Sequence, residues 1–463
     1  MRICSAIYHC LMGLLPETRN VIQLGSGFFF IFLAFNSQGF IEEPVIESSK
    51  GIDSGAGYYS LAIIYFVFTF ANFVAAPIVD IISAKWAMVL GGICYASFLG
   101  GFLFLNAVYL YISSAVLGFG AAIIWTGQGT YLSKNCTEQT SGRNSSMLWA
   151  MLQGSLVGGG IFLFATFQAS GTTDQIEEST VKVLYSVFTV LAILGIVILA
   201  FLPTPPAHLS AAPTGEKPNY KELIVSTFKL MPTKKMLFLA IVFAYTGIEQ
   251  SFWTGIYPSC ISFTKQLGTN TNALVALNAI LSGLGQCIAG GLFGILGSKT
   301  ARLGRDMIVL MGGLIHLVAF GLVFINFPFD ANIKKTEGVG FIQPSVPIAL
   351  IIGFLLGFGD ACWNTQIYAH LVANFPKQSS QAFALYKFYQ SALSCAAFFY
   401  SPSVELPYHL IIMVVFSLLA AVAFFIVERM AKRTESRRSS EQSITVETDP
   451  PTYSETVEES QSP

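Results

Sequence analysis

The sequence predicts an all-α polytopic membrane protein, with twelve transmembrane helices in two six-helix pseudo-repeats. Three observations lead there. Of 463 residues, 53% are hydrophobic and only 11% are charged, with a mean hydropathy of +0.62. A soluble chain carries roughly 25% charged residues. Apolar runs long enough to cross a bilayer recur along the chain, six on each side of one polar segment. Two stretches of the first six reappear in the second six at nearly the same spacing.

The first runs lie at 20–40, 58–79, 86–105, 107–131, 145–168 and 183–202, and the second at 236–258, 273–297, 306–327, 346–373, 380–401 and 408–428. These boundaries set the domains. Residues 1–19 form a cytosolic N-terminal segment with a short apolar patch and no signal-peptide cleavage pattern. A six-helix bundle spans 20–202 and a second spans 236–428. Between them, 203–235 is a cytosolic linker with Pro203, Pro205, Pro206, Pro213, Pro218 and five lysines. Residues 429–463, rich in Ser, Thr and Glu without apolar periodicity, are expected to be a disordered cytosolic tail.

Orientation follows from Lys and Arg in the connections. With both termini and the linker on one face, that face carries nineteen of them and the other five, which places both ends in the cytosol. The connections after spans one and five then lie outside and carry Glu42, Glu43 and Glu47, and Asp174, Glu177 and Glu178. The acceptor patterns at Asn135 and Asn144 fall on the cytosolic side and are expected to stay unglycosylated.

The net charge of −1 excludes a basic nucleic-acid footprint. The eight cysteines are scattered, with no Cys-x-x-Cys and no metal spacing, so no metal and no other cofactor is expected. Cys10 fits a juxtamembrane palmitoylation site. There is no phosphate loop, no His-Glu-x-x-His and no nucleophile elbow, so no catalytic residue is assigned.

Leu117-Gly-Phe-Gly-Ala-Ala in span four returns as Leu356-Gly-Phe-Gly-Asp-Ala in span ten, and Leu148-Trp-Ala-Met-Leu-Gln returns as Leu385-Tyr-Lys-Phe-Tyr-Gln. Parallel repeats of six spans are the signature of the major facilitator fold. The copies differ informatively: Asp360 stands where the first has Ala121, and Lys387 where it has Ala150. A charge in mid-membrane costs about 2.5–3.5 kcal/mol on insertion scales. Asp360 and Lys387 are therefore expected to neutralise one another, directly or through Asn364. Such a pair is either a structural lock between two helices or a gate that breaks during alternating access.

In this fold the first helix of each triplet lines a central cavity, and each such span here carries polar groups. The candidates are Asn36 and Gln38 in span one, Trp125 and Gln128 in span four, Glu249 in span seven, and Asn364 and Gln366 in span ten. Glu249 has no evident counter-charge. His316 reads as structural, and His370 is open to either reading. Gly158 to Gly160, and Gly283, Gly285, Gly290, Gly291 and Gly294, suit close helix packing. In the tail, Pro450-Pro451-Thr-Tyr453 fits the pattern read by WW domains, and Arg437-Arg-Ser-Ser440 fits a basic-directed phosphorylation site at Ser440.

The chain resembles the uncoordinated-93-like (ion channel regulatory protein) family of the major facilitator superfamily, closest to its major-facilitator-domain-containing-protein-eleven-like members. The resemblance covers about 20–428. It rests on Gly57-Tyr-Tyr-Ser-Leu-Ala-Ile-Ile-Tyr65, Trp125-Thr-Gly-Gln-Gly129, Trp149-Ala-Met-Leu-Gln153, Ala244-Tyr-Thr-Gly-Ile-Glu249, Gly357-Phe-Gly-Asp360 with Asn364-Thr-Gln366, and Ala382-Phe-Ala-Leu-Tyr-Lys-Phe-Tyr-Gln-Ser391. It implies a non-enzymatic protein of the plasma or endolysosomal membrane that regulates another membrane protein, such as an ion channel or receptor. The alternative is a secondary active transporter of a small solute. One departure bears on this. Transporter relatives carry Gly-x-x-x-Asp-Arg-x-Gly-Arg-Arg between spans two and three, whereas Ala76-Pro-Ile-Val-Asp-Ile-Ile-Ser-Ala-Lys85 keeps only the Asp and the last basic residue.

Overall fold

An apolar stretch in hydrocarbon must satisfy its own backbone N–H and C=O groups, and a helix does so within one segment. The computed structural model describes residues 15–47, 52, 55–136, 138–169, 177–206, 220–295, 304–375 and 378–448. It carries a helix over each expected run.

The first bundle comprises α1 (Pro16–Glu47), α2 (Ala56–Ile82), α3 (Ala84–Gly101), α4 (Ala107–Ser133), α5 (Glu138–Ala169) and α6 (Glu178–Ala200). A short amphipathic helix, α7 (Tyr220–Leu230), follows in the linker. It lies on the bundles through Phe73–Phe228 ring stacking at 4.9 Å and a Gln381–Ser226 hydrogen bond of 3.1 Å. The second bundle comprises α8 (Lys234–Phe263), α9 (Thr271–Ile295), α10 (Arg305–Asn326), α11 (Val346–Asn374), α12 (Ser379–Tyr400) and α13 (Leu406–Thr448).

The packing repeats as the sequence does. In the first bundle α4 packs on α2 and α3, α1 on α5 and α6, and α3 on α6. In the second, α11 packs on α9 and α10, α8 on α12 and α13, and α10 on α13. The halves meet along two seams, α2 with α12 and α5 with α9. A side chain at Gly160 would meet Ile280 Cγ1 at 2.6 Å, and one at Gly283 would meet Leu156 Cβ at 2.8 Å. These glycines let the α5–α9 seam close. Gly291 does not serve this way, since its Cα faces open space.

Among the described residues, eleven helices are long and apolar enough to cross a membrane. The remaining expected span, α12, is 22 residues long, but Gln381, Lys387, Gln390 and its serines lower its hydropathy. Gln381, Lys387, Gln390, Ser391 and Ser394 face protein, so the helix need not be apolar all round. The lipid-facing surface is apolar instead, with Phe66, Ile112, Val190, Leu314 and Val422 all more than half exposed.

Two expectations need correction. Glu42 and Glu43 do not lie in an outer loop: α1 runs on through Pro44 to Glu47, and both side chains are buried. Glu43 accepts hydrogen bonds from the backbone of Gly55 (3.1 Å) and Tyr58 (3.2 Å), capping the start of α2. The last helix likewise continues beyond 429 to Thr448, with no Gly or Pro to stop it before Pro450. The residues after Thr448 lie outside the described ones.

Between α2 and α3 the chain turns on Ser83 alone, at φ 72° and ψ 154°. This is a region that essentially only glycine occupies without strain. The transporter motif has glycine at this position. Ser83→Gly is therefore expected to raise the unfolding temperature, relieving about 1–3 kcal/mol. An unchanged or lowered midpoint would contradict the strain.

Candidate functional site

The halves enclose a cavity of about 120 Å³ at the centre of the molecule. Its apolar wall includes Trp125, Trp149, Trp253, Phe35 and Tyr95. Its polar wall includes Asn36, Gln153, Gln250, Asp360, Asn364 and Lys387. Both bundles contribute, but all the charge comes from the second. Phe40 meets Trp253 at 6.2 Å on one side, and toward the face where α1 begins, the terminal face, Trp149 meets Tyr368 at 5.7 Å.

Asp360 and Lys387 do not form a direct ion pair: among the described residues no carboxylate lies within 4.0 Å of the Lys387 ammonium. The two are joined by a chain of hydrogen bonds. Asn364 Nδ2 donates to Asp360 Oδ1 at 2.7 Å, and the Tyr386 hydroxyl donates to Asn364 Oδ1 at 2.5 Å. Gln390 Nε2 donates to the Tyr386 oxygen at 3.3 Å, and Lys387 Nζ donates to Gln390 Oε1 at 2.8 Å. Helical spacing builds most of this: 360 and 364, and 386 and 390, are i,i+4 pairs on one face. Tyr386 and Gln390 are the residues that sequence reading missed. Their signal was that spacing beside Lys387.

The ammonium also sits over three rings, with centroids at 4.7 Å (Tyr386), 5.1 Å (Trp125) and 5.9 Å (Tyr368). Ring faces stabilise a desolvated cation without neutralising it. Trp125 comes from the first bundle, so Lys387 binds across the interface between the halves. An ammonium has three N–H donors, and among the described residues only one is spent on a protein oxygen.

Glu249 has a partner after all. It lies directly behind Asp360, with which it interacts side chain to side chain, and His316 Nε2 is 3.5 Å from its Oε1. Immediately beyond Glu249 the helix widens into a π turn, Phe252–Ile256. Such turns cluster at functional sites, and this one carries Trp253 and Thr254 to the cavity. His316 is structural. Its Nδ1 meets the Tyr245 hydroxyl at 2.5 Å and its Nε2 meets the Leu356 carbonyl at 3.2 Å, so a neutral ring satisfies both. His370 lies far from the cavity, in a clasp near the terminal face. Its Nδ1 is 2.9 Å from Glu428 Oε2, and Arg305 binds the same carboxylate through Nε (3.1 Å) and Nη2 (3.1 Å).

Four expected cavity residues are not on its wall, Glu249 behind Asp360 being the first. Gln38 and Gln366 follow Asn36 and Asn364 by two positions, about 200° round the helix. Gln38 turns to Glu42 (2.7 Å) and Gln366 to Thr365 (3.1 Å). Gln128, nearly a turn beyond Trp125, is buried elsewhere in the first bundle. Cys10, Pro450, Pro451 and Tyr453 lie outside the described residues, as does the side chain of Ser440.

A family model described as "Ion channel regulatory protein UNC-93" matches residues 48–425. The UNC93-like protein MFSD11 of Xenopus tropicalis is 36% identical over 435 residues, covering 89% of this chain and 97% of that protein. Among solved structures, the transporter FucP in its outward conformation superposes with a TM-score of 0.61 at 12% identity, covering 88% of this chain and 98% of FucP. A mutant of the nucleoside transporter NupG superposes with a TM-score of 0.60 at 13% identity, covering 88% of this chain and 99% of NupG. At these identities the likeness establishes the major facilitator fold alone.

Proposed function

The chain belongs to the UNC-93 family of ion channel regulatory proteins, and we propose that this multi-pass membrane protein works as a secondary transporter of a small polar solute by alternating access. The observation that carries this reading is Lys387. It is a buried ammonium with N–H donors left over, held by rings from both halves at the wall of a central cavity. A purely structural lysine would spend its donors on protein acceptors. The solute has an acceptor group, a carboxylate or carbonyl, for the ammonium, and a flat or apolar body for Trp125, Trp149 and Trp253. Rocking of the halves separates Trp125 from Lys387, so solute binding and the seam are coupled. We place both termini in the cytosol, from the bias of Lys and Arg.

The test uses the three cavity tryptophans. Nucleosides, amino acids, monocarboxylates and monosaccharides are titrated onto the purified full chain, with indole fluorescence and unfolding temperature as readouts. One class is expected to quench fluorescence saturably and to raise the midpoint, and Lys387→Met is expected to abolish both. If no class acts while a second membrane protein co-purifies in fixed ratio, the transport reading fails. The regulatory reading favoured by the family's description then stands. In that reading the tail pattern at Pro450, Pro451 and Tyr453 recruits a WW-domain protein.

A further inference from the structure

α1 has two polar faces. One gives Asn36 and Gly39 to the central cavity, and the other buries Gln38 and Glu42 among α2, α4 and α6. Glu42 is 0% exposed. Its Oε2 accepts from Gln38 Nε2 at 2.7 Å, and its carboxyl interacts with Ser60 on α2. Ser60 contacts Ser114 on α4 at 2.9 Å, and Tyr185 on α6 lies against the Gln38 side chain. Among the described residues, three oxygens in this nest have no hydrogen-bond partner: Glu42 Oε1, Gln38 Oε1 and the Tyr185 hydroxyl. Native interiors rarely leave such atoms unmatched unless a water or an ion fills the place.

The chemistry of the nest narrows the choice. Among the described residues no Lys, Arg or His nitrogen lies within 4.0 Å of Glu42. The nearby Lys182 on α6 is half exposed and pairs with Glu178 at 2.7 Å. Ser114 donates to the Leu110 carbonyl at 2.6 Å, so the one Ser60 proton is shared between Ser114 and the Glu42 carboxyl, and the Ser60 oxygen keeps a lone pair for a ligand. The Gln38 amide donates to Oε2, Oε1 is left with its lone pairs unmatched beside the Gln38 and Tyr185 oxygens, and Glu43 adds a second negative group. Oxygen ligands without His or Cys suit a hard cation. One carboxylate, with Glu43 already spent on the backbone of α2, balances one positive charge.

We propose that Glu42, Gln38, Ser60 and Tyr185 form a sodium-binding site in the first bundle, separate from the central cavity. A bound ion ties α1 to α2 and α6, and so fixes the helix that presents Asn36 to the cavity.

The test is thermal unfolding of the purified full chain in NaCl against choline chloride at equal ionic strength. Sodium is expected to raise the midpoint saturably in the parent protein and to have no effect on Glu42→Gln. Should Glu42→Gln fold poorly, Ser60→Ala and Tyr185→Phe keep the carboxylate and remove one ligand oxygen each. Ser60→Ala is expected to raise the half-saturating sodium concentration several-fold, and Tyr185→Phe to raise it as well. The proposal is overturned if the parent midpoint is the same in both salts. It is equally overturned if Glu42→Gln is more stable than the parent and both are blind to sodium, which would mean that the carboxyl carries its own proton. Neither outcome depends on any solute binding in the central cavity.

Discussion

Asp360→Asn is expected to lose both the solute response and much of the folded yield. It removes the charge that balances Lys387 through Asn364, Tyr386 and Gln390. Truncating one partner of a buried charge pair leaves the other uncompensated, at a cost of about 3–5 kcal/mol. The cost here is expected near the lower bound, because the charges communicate through side chains and the rings shelter the ammonium. Lys387→Met should be similarly destabilised. The double variant Asp360→Ala with Lys387→Ala copies the first bundle, which has Ala121 and Ala150 at these positions. It is expected to recover yield and thermal stability while remaining silent to solute. Additive losses in the double variant would show that the two charges do not compensate each other. Recovery of solute response along with yield would mean the pair is structural and that Lys387 is not the solute's ligand.

The second large effect is expected at the terminal face. Glu428→Ala removes the carboxylate shared by Arg305 and His370, and so unties α10, α11 and α13 at one point. Of the two groups orphaned, the His370 ring is 0% exposed and stays dry, while the Arg305 side chain is 28% exposed and hydrates in part. The loss is again expected toward the lower bound of about 3–5 kcal/mol, read as a large fall in unfolding temperature. Glu428→Gln retains a carbonyl for Arg305 and should lose less. If the alanine variant unfolds at the parent temperature, the clasp contributes nothing. Because the clasp lies within one bundle, solute affinity should change little in molecules that remain folded. This separates it from the Asp360 series.

Much of this was legible in the chain. Bilayer thickness and backbone hydrogen bonding leave an apolar run of some twenty residues one solution, so helix existence and order follow from composition alone. The half-chain repeat carried the pairing of helices, and Asp360 and Lys387 stood out because charge is costly in those runs. Cavity lining was read less well. Asn36 and Gln38, or Asn364 and Gln366, look alike in a list of polar residues, but a two-residue step turns a helix to its other side. Only packing tells which side meets the cavity.

Tertiary structure also decided the partners. Glu249 looked solitary because Asp360 and His316 are distant in sequence, and Glu42 looked like a loop residue because a hydropathy run ends where the first acidic residue begins. A buried carboxylate is stabilised by atoms from other helices, and the sequence orders those atoms along the chain rather than in space. The sequence by itself determined twelve helices, their duplication and where charge is held. Only the packed bundles decided which charges meet, through which side chains, and around what space.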